Sequence, residues 1–385
     1  MRKWMMAAAA AIALTAAGGC EANNAERQER PAVEPVVAAP RPTVLADEEV
    51  PYTPETLADN VNVPWALDVA PDGRIFFTER PGSVRVIQQG RLLPEPLITF
   101  PAPFTSEGEG GLLGLAVDPD FAANHWLYVY HTYRQGDSTY NRVVRLREEN
   151  NRARVDKVLI DGIPGDVIHN GGRLKIGPDR RLYITTGDAR VPERAQDLSS
   201  LAGKILRLNL DGTIPADNPF PQSPVYSWGH RNPQGIGWSP SSGRMYSSEH
   251  GPFAHDELNL IEPGGNYGWP VIQGDQQAAG MTAPILHSGD TTWAPAGMTF
   301  VTRGPWRGRL LVANLRGEQL LNVALDPGNP SVVQSFSVFY QNKYGRLRDV
   351  VEGPDGSLYL LTSNRDGRGE PGPGDDRIIR LRPGR

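Results

Sequence analysis

Apolar residues in this chain recur as paired short runs separated by a polar turn. In 65–86 the first run is Ala-Leu-Asp-Val, the turn is Pro71-Asp72-Gly73-Arg74, and the second run is Ile-Phe-Phe-Thr-Glu. The phrase returns in 112–146, 172–208, 233–261, 295–325 and 347–381. Runs of four to eight residues rich in Val, Ile, Leu, Tyr and Phe, punctuated by Pro, Asp and Gly, predict strands rather than helices. The turn prolines are Pro71, Pro119, Pro178, Pro240, Pro305 and Pro354. Their period of roughly fifty to sixty-five residues is that of one four-stranded blade plus a variable loop. Alternation within the runs is only partial, as expected of strands covered on both faces. The pattern predicts an all-β protein, a six-bladed β-propeller of four-stranded antiparallel blades, over residues 52–385. An array of β-sandwich domains would need a longer period. The longest excursions run from the second strand of one blade to the start of the next, and function is expected there.

Composition agrees with this picture and narrows the partners. Among 385 residues, 42 Gly and 35 Pro suit many turns. A net charge of −5 and the absence of a basic run flanked by aromatics argue against nucleic acid as a partner. The chain opens on Met1-Arg2-Lys3 and an apolar stretch, Met5 to Ala17, of signal-peptide length. Ala17-Gly18-Gly19-Cys20 then resembles a lipoprotein cleavage box, with the single cysteine, Cys20, as the lipid-bearing residue. Residue 17 is Ala where Leu is usual, and an ordinary signal peptide with an incidental cysteine is the other reading. Glu21 follows, so the Asp that retains lipoproteins at the inner membrane is absent. Residues 1–20 are therefore expected to be a lipoprotein signal peptide, and 21–51, rich in Ala, Pro, Glu and Arg, a disordered tether. The expected location is the cell envelope, on the periplasmic side of the outer membrane, as a monomer or homodimer.

The chemistry-bearing residues fall in the excursions. His169 precedes Asn170-Gly171-Gly172 at the start of a blade, where it would face the propeller mouth. Asp188 ends the next strand of the same hairpin and could orient the imidazole as a general base; a turn cap is the alternative. Arg231 and Asn232, fixed between Gly229 and Pro233, could present a planar cation and an amide to a planar anionic ligand. The segment 249–270 combines carboxylates with Gly-rich backbone, the ligand types calcium takes, and has no His pair at zinc spacing. Arg316, Arg346 and Arg348 near blade ends would suit a polycarboxylate or phosphate.

Several of these stretches, taken in order, resemble the soluble quinoprotein glucose/sorbosone dehydrogenase family, close to periplasmic aldose sugar dehydrogenases. They are Gly-Gly-Leu-Leu-Gly-Leu-Ala-Val-Asp-Pro-Asp-Phe (110–121), His-Asn-Gly-Gly-Arg-Leu (169–174), Tyr-Ile-Thr-Thr-Gly-Asp (183–188) and Gly-His-Arg-Asn-Pro-Gln-Gly (229–235). Glu-His-Gly-Pro (249–252), Asp-Glu-Leu-Asn (256–259), Gly-Gly-Asn-Tyr-Gly-Trp-Pro (264–270) and Arg-Leu-Arg-Asp-Val-Val (346–351) complete the set. The resemblance implies pyrroloquinoline quinone (PQQ) and Ca2+ at the mouth, and oxidation of an aldose at C1 to a lactone. It makes His169 the base, Asp188 its orienting group, and Arg231 and Asn232 the holders of the quinone edge. Arg316, at a position usually Lys, would clamp the cofactor carboxylates with Arg346 and Arg348. The carbonyls of Gly251 and Pro252 would bind the catalytic calcium, Glu257 and the Tyr267 carbonyl a structural one. Trp293 falls where an aromatic wall meets the sugar.

Two positions depart from the family. Glu109 stands where a cofactor-contacting Gln is found, and a carboxylate there opposes reduction unless an Arg or the calcium neutralises it. Ile168 replaces a carboxylate of glucose dehydrogenases, so a substrate preference other than glucose is expected. The sequence leaves the particular sugar and the electron acceptor open. Two further readings compete: a non-catalytic propeller that binds proteins, in which the His169 and arginine motifs would be eroded, and a calcium-dependent lactonase, which would need several carboxylates on one metal.

Overall fold

A computed structural model describes residues 43–45 and 50–384; the signal-peptide and Cys20 expectations lie outside them. Within the described residues the six repeats become six antiparallel sheets. Their inner strands are Pro64–Val69, Leu112–Val117, Leu174–Ile176, Pro233–Trp238, Pro295–Phe300 and Leu347–Glu352. Each packs against the inner strands of the blades before and after it, and the sixth packs against the first, closing a ring. The fold is thus an all-β, six-bladed β-propeller with four-stranded blades, two of which carry an additional short strand.

The burial pattern explains why alternation in the sequence is incomplete. Leu112–Val117 and the second strands Ile75–Glu79, Leu182–Thr186, Met245–Glu249, Leu310–Asn314 and Leu358–Thr362 are buried at every residue. Neighbouring blades cover both of their faces, so polar residues on these strands need partners within the sheet stack. Thr78 Oγ1, for example, donates to the Leu113 carbonyl of the next blade at 2.6 Å. Each fully buried Leu, Val or Phe contributes about 1.5–3 kcal/mol against exposure. The outermost strand of the second blade, Arg152–Pro164, is mostly exposed.

The turn prolines all lie between the first and second strands of their blades. In the first of these turns the Asp72 carboxylate accepts the Arg74 N–H at 3.0 Å while Gly73 takes φ 84°, a conformation in which glycine meets no Cβ penalty. The other ends of the inner and second strands converge, and their connections form the mouth.

Ring closure and the tether show features absent from the repeat count. Tyr52–Ala58 pairs antiparallel with Ile378–Pro383, so the start of the body supplies the outer strand of the last blade. Thr43–Leu45, within the segment expected to be a free tether, pairs in parallel with Ser335–Ser337 on the outer edge of the fifth blade. Backbone hydrogen-bonding at that open edge favours strand addition over free coil.

At the axis sits a buried ion pair. Arg173 on the third blade and Asp349 on the sixth, each 1 % exposed, approach to 2.6 Å. The guanidinium also donates through Nε to the Gln234 carbonyl at 2.8 Å and lies 4.3 Å from the Trp65 ring centroid. The fifth blade leaves room for it only because residue 297 is Gly, since a Cβ there would fall 1.7 Å from Asp349 Oδ1. Five of the six blades therefore meet at this one pair.

Candidate functional site

The mouth holds a cavity of about 300 Å3 directly above the axial pair, sharing Trp65 and Gln234 with it. Its wall carries four guanidinium groups, of Arg80, Arg346, Arg348 and Arg368, against two carboxylates, of Glu109 and Asp366. Arg346 reaches Asp366 through Nε and an Nη at 3.0 and 2.8 Å. Burial would raise the Asp366 carboxyl, but Arg348 and Arg346 outweigh it and hold it low. Arg348 donates to Gln234 Oε1 at 2.7 Å, and burial pushes its guanidinium down to about 9. His250, also in the wall, is lowered to about 3 by burial and is neutral at physiological pH.

His169 stands beside this wall in a left-handed conformation, φ 60°, uncommon for a residue with a Cβ. Its backbone N–H donates to Glu109 Oε2 at 3.1 Å, and its neighbours Asn170 and Gly171 are wall residues. The imidazole Nδ1 lies 2.7 Å from Asp188 Oδ1. Asp188 is fully buried, while the His169 side chain keeps 13 % exposure, so Nε2 is the nitrogen left to meet a ligand. The close approach of the two loops requires Gly187, where a Cβ would stand 2.0 Å from the His169 carbonyl oxygen.

Arg231 and Asn232 brace the neighbouring loop. Arg231 donates its N–H to Glu249 Oε2 at 2.9 Å and an Nη to the His250 carbonyl at 3.2 Å. Asn232 is fully buried; its Oδ1 accepts the Gly171 N–H at 3.0 Å and its amide faces His250 Nδ1. Of the three arginines read together from the sequence, Arg346 and Arg348 line the cavity, whereas Arg316 is exposed on the rim, its N–H bonded to the Trp293 carbonyl. Trp293 packs edge-on against Phe336, and the next residue, Ala294, enters the wall.

Gly251, which precedes Pro252, is held by Asp256. One carboxylate oxygen accepts the Gly251 N–H at 2.9 Å; the other accepts the N–H groups of Trp293 and Ala294 at 2.6 and 2.8 Å. Glu257 follows, buried beside Glu249. Burial first and the Glu249 charge second raise its carboxyl to about 8. Tyr267, buried, stacks on the His230 ring at 4.8 Å, and His230 bonds Glu249 at 3.1 Å.

Glu109 sits in the wall as a paired acid. Arg368 lies 2.9 Å from its Oε1. Burial alone would raise this carboxyl; the neighbouring His250, then Arg368 and the His169 N–H, outweigh it and hold it low. The neutralising arginine anticipated for this departure is therefore present, on a different blade.

The residues the sequence reading missed share one signal. Arg80, His250 and Asp366 each follow the second strand of a blade, as Asp188 does. They stand one to four residues beyond those strands, so the signal is the strand end and not a single aligned position.

The fit to a cofactor can be tested on the partnerless groups. The Nε atoms of Arg80, Arg231 and Arg348 and the Nε2 of His250 are buried without a hydrogen-bond partner. Buried donors left unmade cost about 1–3 kcal/mol each. Donors converging on a cavity with surplus positive charge suit a rigid ligand bearing several carboxylates. Near Glu257, whose Oε1 accepts the Gly274 N–H, the Gln273 Oε1 is buried and has no donor. A carboxylate pair with an orphaned amide oxygen is an oxygen set that a hard cation satisfies.

Comparison with known proteins agrees with the geometry. The glucose/sorbosone dehydrogenase family model matches residues 61–379. Quinoprotein glucose dehydrogenase B of Acinetobacter calcoaceticus is 36 % identical, over 83 % of this chain and 90 % of its own length. The aldose sugar dehydrogenase of Escherichia coli K12 is 31 % identical, over 81 % of this chain and 90 % of its own. The PQQ-bound aldose sugar dehydrogenase of Streptomyces coelicolor superimposes with a TM-score of 0.76 at 38 % identity, covering 86 % of this chain and 98 % of that one.

Proposed function

Because the chain belongs to the glucose/sorbosone dehydrogenase family, we propose that it oxidises aldose sugars at C1 to lactones with PQQ and Ca2+. The observation that carries the reading is the His169–Asp188 dyad standing beside an arginine-lined cavity with unmade buried donors. When bound, PQQ supplies an ortho-quinone that takes the hydride of the sugar C1–H, and calcium supplies a Lewis acid that polarises it.

The chain's own groups do the rest. His169 takes the C1 hydroxyl proton at Nε2, since Nδ1 is engaged by Asp188. Asp188, without solvent contact, fixes the ring and stabilises the imidazolium as it forms. Arg80, Arg346 and Arg348 would hold the cofactor carboxylates, with Trp65 in the same cavity wall. Arg231 and Asn232 hold the edge of the ring system, with Arg316 and Trp293 at the rim toward the sugar. The carbonyls of Gly251 and Pro252 would hold the catalytic calcium, and Glu257 and the Tyr267 carbonyl the second.

The test is direct. The body without residues 1–20, given PQQ and calcium, should reduce a redox dye only when an aldose is present; a chelator should abolish the activity and calcium restore it. Absence of dye reduction with every aldose, together with loss of cofactor absorbance on gel filtration, would favour a binding module. The same reading anchors the chain in the periplasmic face of the envelope through lipid on Cys20. Labelled palmitate should then enter the wild type and not Cys20→Ala; equal labelling of the two would rule the anchor out.

A further inference from the structure

The His169–Asp188 dyad has a third member that the sequence motifs do not assign. Asp188 Oδ1 accepts from His169 Nδ1 at 2.7 Å and from the Arg190 N–H at 2.9 Å. The other oxygen, Oδ2, accepts the indole Nε1–H of Trp269 at 2.9 Å. The same indole ring lies 5.3 Å from the Arg231 guanidinium carbon. Trp269 is itself fixed: its N–H donates to the Gly229 carbonyl at 2.9 Å, and its carbonyl accepts Gln196 Nε2 at 2.7 Å. Gln196 and Asn266 bind each other through both amides at 2.9 and 3.0 Å.

We propose that Trp269 is a positioning residue of the dyad: its N–H occupies the carboxylate oxygen facing away from the imidazole, and its ring aligns Arg231. Rested on the dehydrogenase reading, this role is to temper the Asp188 carboxylate's hold on the imidazole while keeping the ring aimed at the cavity. A donor on Oδ2 withdraws charge from the carboxylate and weakens its pull on the imidazole proton. Without that donor, Asp188 remains held by Arg190 N–H but becomes a stronger acceptor, so the imidazolium gains stability and the His169 pKa rises. The charged groups facing the dyad are otherwise unchanged: Glu109 at the His169 N–H, Arg190 with its partner Asp166, and Arg231 with His250 from the fourth blade.

Trp269→Phe removes the N–H and keeps the ring. In the apo-protein, histidine NMR titration, with His169 assigned by its loss in His169→Gln, should show its pKa raised by about half a unit or more. In the PQQ-loaded protein the acid limb of kcat/KM should move to higher pH by the same amount. Turnover should fall about three-fold or more below the limb and recover above it. An unchanged or lowered His169 pKa, or a loss equal at every pH, overturns the proposal. Should the apo titration shift while wild-type protein oxidises no aldose, the dehydrogenase reading fails and the role of Trp269 in the dyad stands.

Discussion

Replacing His169 with alanine is expected to lower turnover about a thousandfold while leaving PQQ affinity within a few-fold of wild type. The side chain contributes one proton-accepting nitrogen, Nε2, at the edge of the cavity. Among the described residues, the wall arginines proposed to bind the cofactor make no hydrogen bond to it. Among the described residues its one side-chain hydrogen-bond partner is Asp188, which stays buried and held by Arg190 and Trp269 after the change. Steady-state dye reduction gives kcat; absorbance retained after gel filtration gives cofactor binding. Turnover within ten-fold of wild type would remove His169 as the base, and loss of the cofactor along with turnover would make it a binding residue instead.

Breaking the axial ion pair is expected to destabilise the whole ring. Arg173→Met leaves Asp349 buried and uncompensated, at about 3–5 kcal/mol. For a domain of this size that lowers Tm by roughly 4–7 °C, measured by calorimetry or circular dichroism. The double variant Arg173→Met, Asp349→Leu removes both charges and should recover much of the loss, because two apolar side chains of similar volume can replace a buried pair. A single variant within 1 kcal/mol of wild type would show that water or a neighbour compensates Asp349.

Much of the architecture is legible in the sequence because it is repetitive. Each blade spells its first two strands around a Pro-containing turn, and those turns all fall on the side away from the mouth. The dyad is legible for a related reason: Asp188 lies at the end of the strand hydrogen-bonded to the one His169 introduces, so hairpin geometry alone brings them near. Arg346 and Arg348 open a blade and line the cavity. Arg316 follows a second strand as Asp188 does, yet its loop turns the side chain to solvent, a distinction of loop conformation that spacing does not carry. The axial pair was invisible for the opposite reason. Arg173 and Asp349 are 176 residues apart, on blades that meet only when the ring is complete. Asp366 and Arg368 read as ordinary turn residues until closure sets them against Arg346, Arg348 and Glu109. The strand Thr43–Leu45 was missed because its pairing uses backbone groups at a sheet edge, for which its polar, Pro-rich surroundings gave no signal.

The sheet that joins Tyr52–Ala58 to Ile378–Pro383 fixes an order of events as well as a shape. A chain emerging from the ribosome or a secretion channel can stack its early blades one by one. It cannot seal the circle until Ile378–Pro383 meets the waiting Tyr52–Ala58 strand, a contact spanning nearly the whole domain. Arg346, Arg348, Asp366 and Arg368 all lie in the blade which that contact completes. The wall's arginine cluster is thereby assembled only once the last blade is in place, and a chain stopped before that blade keeps Arg80, His169 and Asp188 but lacks these four charged groups.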